Sequence, residues 1–135
     1  MGILSKPLEL RGDKGRAQVE GLFDTGATYS FVRRDLAEQL ATLLPLDEPL
    51  SFETAREGDR LEATHVVRLA FIIDGYRFSD EFIVLEELAE PVIIGAASMQ
   101  KWRLKLDMER EEVVIDPSAT RLRLIRVGEQ RVMQS

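Results

Sequence analysis

LFDTGATYS, residues 22–30, sets an acid at the end of an apolar run and follows it at once with small residues. A carboxylate there either shifts its pKa or finds hydrogen-bond partners, because desolvating it alone is expensive. Thr25 offers a hydroxyl, and Gly26 offers backbone that other groups can approach closely. Small residues beside an acid leave room for water or a substrate. Taken alone, Asp-Thr-Gly also fits an ordinary turn, so its meaning depends on what surrounds it.

Upstream, PLELRGDKGRAQVEGLF (7–23) reads as two short strands around a Gly12-Asp13-Lys14-Gly15 turn. Arg11-Gly12-Asp13 matches an adhesion tripeptide, but between two strands it reads as a hairpin turn. Downstream, SFVRRDLAEQLATLL (30–44) repeats apolar positions at Val32, Leu36, Leu40 and Leu43-Leu44. That spacing predicts a helix, ended by Pro45. PLSFETA (49–55) and RLEATHVVRLAFII (60–73) predict strands that flank Arg56-Glu57-Gly58-Asp59. The second run is too long for one neighbour. It should pair first with 49–55, as a projecting hairpin arm, and then with YRFSDEFIVL (76–85) across an Asp74-Gly75 turn. PVIIGAASMQKW (91–102) predicts an apolar strand, a glycine and a short helical turn. RLKLDMEREEVVIDP (103–117) predicts a hairpin turning near Glu109–Glu111, and TRLRLIRV (120–127) a last strand before a frayed 128–135.

Composition narrows the chemistry. A chain of 135 residues predicts one domain, large enough to bury a core without disulfides or metals. It has no Cys and a single His. That excludes a thiolate nucleophile, a Cys-ligated metal and a multi-His metal site within one chain. A Ser-His-Asp triad would have to use His65. Net charge is -6, with 18 basic against 24 acidic residues, which argues against non-specific nucleic-acid binding. No apolar run reaches transmembrane length. The first residues lack the basic and apolar regions of a signal peptide, and Lys6 stands where a myristoylation signal wants Ser or Thr. A cytoplasmic protein with no nucleic-acid or membrane partner is the expectation.

The order of these elements, with LFDTGATYS, TAREGDRLEATHVVRLAFII (54–73) and PVIIGAASMQKWRLKLD (91–107), resembles the retropepsin-like family of aspartic proteases. The resemblance implies an all-β fold: a closed, barrel-like half with one main and one short helix per subunit, forming a single domain over 1–135 with its core at 7–127. It implies a homodimer in which each chain supplies one Asp-Thr-Gly loop, acting on extended polypeptides with no cofactor or metal. Two copies of Asp24 would share one proton, because like charges that close cannot both ionise. Thr25 would brace the two loops across the two-fold axis. Gly26, Ala27 and Thr28 would line the substrate floor. Ile94 and Gly95 would pack beside the loop. Arg56, Glu57, Gly58 and Asp59 would form the tip of a flap over the substrate; they depart from the glycine-rich viral tip in their charge. Residues 3–10 and 120–127 are the candidates for the subunit interface.

A pseudo-enzyme of the same fold, gripping peptides or dimerising with little or no cleavage, is the alternative. A structural β-domain in which Asp24 caps a loop ranks third. Among the other residues, His65 reads as a half-buried sheet residue and Trp102 as a packing residue. Asp80-Glu81 and Glu86-Glu87 read as surface charge.

Overall fold

The computed structural model describes residues 2–53 and 58–121. Alternation decides the first strand, β1 (Ile3–Arg11), in which Leu4, Leu8 and Leu10 face the core. It pairs antiparallel along its length with β2 (Arg16–Asp24), from Ile3↔Asp24 to Arg11↔Arg16. Gly12 N donates to Gly15 O at 2.8 Å and closes the turn between them. The strand thus starts at Ile3, four residues before the expected core boundary at Pro7.

Next come β3 (Phe31–Arg33), α1 (Arg34–Leu40), β4 (Leu44–Glu53), β5 (Arg60–Ile73) and β6 (Tyr76–Leu85). The chain continues through β7 (Val92–Ile94), α2 (Ala96–Trp102) and a two-stranded hairpin of β8 (Lys105–Asp107) and β9 (Glu112–Val114). Pairing in the order β1-β2-β7-β3-β6-β5, with β5 returning to β1, closes six strands into a barrel. Phe23, Val32, Val67, Phe71, Phe78, Phe82, Val92 and Ile94 fill it and are all buried. Each such side chain contributes roughly 1.5–3 kcal/mol by leaving water. The β5–β6 turn is Asp74-Gly75, with φ of 50° and 84°, as a tight two-residue hairpin requires.

β4 lies outside the ring and pairs only with β5. Among the described residues, residues 60–65 of β5 have no partner but β4, so the two strands project as an arm, as the long 60–73 run predicted. The register slips between Pro45 and Leu50, a bulge that bends the arm.

Two expectations need correction. The helix predicted over 30–44 is confined to Arg34–Leu40, and Phe31-Val32-Arg33 is a strand. Phe31 and Val32 pair with β6 on one side and β7 on the other, and barrel closure outweighs the local helical period. Pro45 does not end this helix. Ala41 turns extended, with its N–H still bonded to Ala37 O, and Pro45 already belongs to β4. Among the described residues, both α-helices are seven residues long. At the other end, Pro117–Thr120 forms a 3₁₀ turn capped by Asp116. The strand expected at 120–127 lies, from residue 122 onward, outside the described residues. Among the described residues, no helix is long and apolar enough to cross a membrane.

Candidate active site

Asp24 is the last residue of β2, and register fixes what it meets. β2 runs parallel to β7, with Phe23 beside Ile94. One step further, Asp24 and Gly95 leave the same end of the barrel together. The chain then loops through residues 25–30 and returns as β3, antiparallel to the same β7. The Asp-Thr-Gly loop therefore wraps the end of β7 and the start of α2.

Hydrogen bonds hold the loop to that helix. α2 has no side-chain cap. Its first amides are bound by the loop itself: Ala96 N donates to Ala27 O at 2.7 Å, and Ala97 N to Thr28 O at 3.0 Å. This arrangement satisfies the orphan donors of the helix start and the loop carbonyls at once. Gly95 makes the approach possible. A Cβ there would stand 2.2 Å from Tyr29 O and 2.8 Å from Ala27 O, closer than atoms can pack.

Asp24 itself is half-buried. Its Oδ1 accepts from Gly26 N at 2.8 Å, which fixes the carboxylate plane. Its Oδ2 has no hydrogen-bond partner among the described residues. Thr25 has its partner at the start of the chain. Its Oγ1 accepts from Gly2 N at 2.7 Å and lies 3.3 Å from Gly2 O, and Thr25 N donates to the same Gly2 O at 3.0 Å. Within this one chain, the start of β1 holds the loop.

Gly26 and Thr28 are exposed and Ala27 is half-buried on the outer side of the loop, while Ile94 and Gly95 are buried beneath it. The arm reaches this loop through aromatic contacts. Phe52 of β4 meets Tyr29 edge-on at 6.2 Å and Phe31 at 5.2 Å. Gly58 takes a positive φ of 85° in open space, and Asp59 is exposed beside it. Arg60 pairs with Glu53 at 3.6 Å across the base of the tip. Arg56 and Glu57 lie outside the described residues. His65 is a half-buried sheet residue with Nδ1 2.8 Å from Thr64 Oγ1, and Trp102 packs on Phe78 while donating to Ser79 O.

A polar chain beneath the loop escaped the sequence reading. Gly95 N donates to Ser30 Oγ at 2.9 Å, Ser30 and Ser98 Oγ lie 2.7 Å apart, and Ser98 Oγ donates to Asp80 Oδ2 at 2.6 Å. Each hydroxyl has one proton, so Ser30 must donate to Ser98, and the chain runs one way into the carboxylate. Lys101 Nζ stands 3.7 Å from the other Asp80 oxygen. Asp80, expected as surface charge, is thus a corrected assignment: it anchors the loop through two buried serines. Its position gave a signal, since it shares a strand face with the buried Phe78 and Phe82. Ser98→Ala should lower stability by about 2 kcal/mol, because Ser30 loses its acceptor and Asp80 its donor in a buried setting. Asp80→Asn keeps an acceptor oxygen and should lose less. Thermal unfolding of both variants checks this, and a Ser98→Ala protein as stable as wild type would show that the chain holds nothing.

Comparison with known proteins now bears on this geometry. A retroviral aspartyl protease family model matches residues 16–121. The retroviral protease-like domain of Ddi1 from Leishmania major superposes with a TM-score of 0.67 over 86% of this chain and 90% of that one, at 19% identity. At that identity the likeness shows the fold. The solution structure of Simian Foamy Virus (mac) protease is a more distant neighbour, with a TM-score of 0.44 over 70% of this chain and 92% of that one, at 18% identity. No curated protein matches the sequence. The match over 16–121 covers the Asp-Thr-Gly loop, the arm, β7 and α2, and by it the chain belongs to the retroviral aspartyl protease family.

Proposed function

We propose that the protein is an aspartic endopeptidase that hydrolyses extended polypeptides as a homodimer. Asp24 and the partner subunit's Asp24 would share one proton across the two-fold axis. The Oδ2 of Asp24, without a hydrogen-bond partner among the described residues, carries this reading. One oxygen is held by Gly26, and the other is left for a water or a second carboxylate. A lone aspartate could not play both required parts, and the chain has one such loop.

The chemistry follows from two carboxyls in different states. The ionised one takes a proton from water as the water oxygen attacks the scissile carbonyl carbon. The protonated one gives its proton to the carbonyl oxygen. When the tetrahedral intermediate collapses, the carboxyl that took the water's proton gives it to the amine nitrogen, a hydroxyl of the intermediate returns its proton to the other carboxylate, and the C–N bond breaks. The pair titrates as a unit. Gly26, Ala27 and Thr28 would line the floor under the substrate backbone. The tip that the resemblance assigns to Arg56, Glu57, Gly58 and Asp59 would close over it and exclude water.

Thr25 favours a second reading. Its O–H already faces Gly2 O, so bracing a partner loop requires that 3.3 Å contact to give way. A module that binds peptides or dimerises without efficient cleavage needs no such exchange. Peptide cleavage separates the readings, and sedimentation with and without a statine-type peptide, which mimics the attacked carbonyl, tests the two-chain site. The protease reading expects a dimer, tightened by the inhibitor. A strict monomer that still cleaves peptides would sink the two-chain mechanism.

A further inference from the structure

We propose that a cavity around Ala70, remote from Asp24, binds a dianionic oxyanion: phosphate or the phosphate of a monoester. The cavity measures about 770 Å³, and Arg11, Arg68, Arg77 and Ser79 are on its wall. β1 separates the two places: Ile3 pairs with Asp24 at one end, and Arg11 lies eight residues on, roughly 26 Å at strand rise. The inference is therefore independent of the protease reading.

Register explains why these side chains converge. Arg11 and Ser79 both stand opposite Ala70, one on each neighbouring strand. Arg68 precedes Ala70 by two residues on β5, and Arg77 stands opposite Ile72, two residues after it. Residues two apart share a face, so all four surround one small side chain on the outside of the barrel. Ala70 makes the floor; a larger residue would fill the space.

Two of the three arginines at the cavity, Arg68 and Arg77, carry no ion pair among the described residues, although Glu81 stands opposite Arg68. Arg11 bonds Glu9 Oε1 through Nε and Nη2, at 3.1 and 2.9 Å. Asp13, on the cavity wall, is already engaged: its carboxylate accepts from Thr42 N at 2.7 Å and from Thr42 Oγ1. The Thr42 hydroxyl, foremost, and then the Thr42 amide hold the Asp13 carboxyl below its ordinary range. Asp13 therefore stays anionic and faces Thr42. Glu9 and Glu81 share this outer face, but among the described residues only Glu9 is ion-paired to an arginine of the cavity. Two guanidinium groups without an ion pair among the described residues, set around a cavity, fit a ligand of opposite charge. Guanidinium forks match the planar spread of phosphate oxygens two at a time. Ser79 Oγ adds a neutral donor on the same wall.

The test uses inorganic phosphate on the wild-type protein. Backbone NMR shifts should move with phosphate, at constant ionic strength against chloride, around residues 11, 68–70 and 77–79, and not around Asp24. Thermal unfolding should rise with phosphate beyond the chloride control. The Arg68→Gln/Arg77→Gln double variant changes only exposed side chains, and its phosphate affinity should fall at least tenfold. Phosphoserine as a second probe distinguishes the sources. Tighter binding than inorganic phosphate assigns the site to a monoester, and weaker binding assigns it to free phosphate. Shifts no larger than those in chloride, or equal affinity in the double variant, would overturn the proposal.

Discussion

Asp24→Asn is expected to cut peptide cleavage by about four orders of magnitude, the upper range for losing an acid–base group. The fold should stand. Asn is the same shape, and its side-chain oxygen can still accept from Gly26 N as Asp24 Oδ1 does at 2.8 Å. Asp24 is only half-buried, so neutralising it removes no buried partner, and stability should move by less than about 0.5 kcal/mol. What is lost is the proton exchange, because an amide neither takes a proton from water nor gives one to a carbonyl. Mixing wild type with an equal amount of the Asn variant sharpens the test. If one site needs two chains, random pairing leaves about a quarter of the dimers fully wild type. Activity should fall to that level, whereas independent monomers would keep half. Mass spectrometry of a digested peptide library gives the readout, beside sedimentation and thermal unfolding. An Asn variant that cleaves as well as wild type would falsify the assignment of Asp24. A wild-type protein that binds peptides and cuts none would leave the binding module as the better reading.

How much of this was legible in the sequence depends on the range of the interactions involved. β5 and β6 match their expected bounds, because alternation and the Asp74-Gly75 turn are local signals. The stretch from Ser30 to Leu44 misled for the opposite reason. Val32 lies in phase with Leu36 and Leu40, yet β6 and β7 claim it, and no local pattern reveals two strands more than fifty residues away. The site divides in the same way. Asp24 and Gly95 were visible as an acid and a glycine in recognisable settings, and their adjacency follows from the β2–β7 register. Ser30, Ser98 and Asp80 come from a loop, a helix and a strand, so only the phase of Asp80 on β6 could have flagged the chain they form. The contact of Thr25 with Gly2 was hidden as well, since nothing in a Met-Gly start predicts a clamp on the Asp-Thr-Gly loop.

Gly95→Ala should be the most damaging single methyl in the molecule for the Asp-Thr-Gly loop. The backbone at Gly95 is extended, with φ of −95° and ψ of −178°, which alanine adopts freely. The obstacle is space alone. The new Cβ would lie 2.2 Å from Tyr29 O, 2.6 Å from Tyr29 C and 2.8 Å from Ala27 O. All three are backbone atoms, so no rotamer change relieves the contact and the loop itself must move. Moving it stretches the bonds from Gly95 N to Ser30, from Ala96 N to Ala27 and from Ala97 N to Thr28. The expected loss is about 3 kcal/mol, the upper range for overpacking, or roughly 10 °C in Tm for a domain of this size. Gly12→Ala is the control. Its Cβ would meet Leu40 O at 2.2 Å, an equal clash that lies between the first hairpin and α1 rather than at the loop. Both variants should lose comparable stability, but well below their Tm only Gly95→Ala should lose kcat, because only there does the displaced backbone carry Asp24. Equal kcat in the two folded variants would mean that the loop tolerates displacement, and that the tight packing of α2 against it serves stability without setting the catalytic geometry.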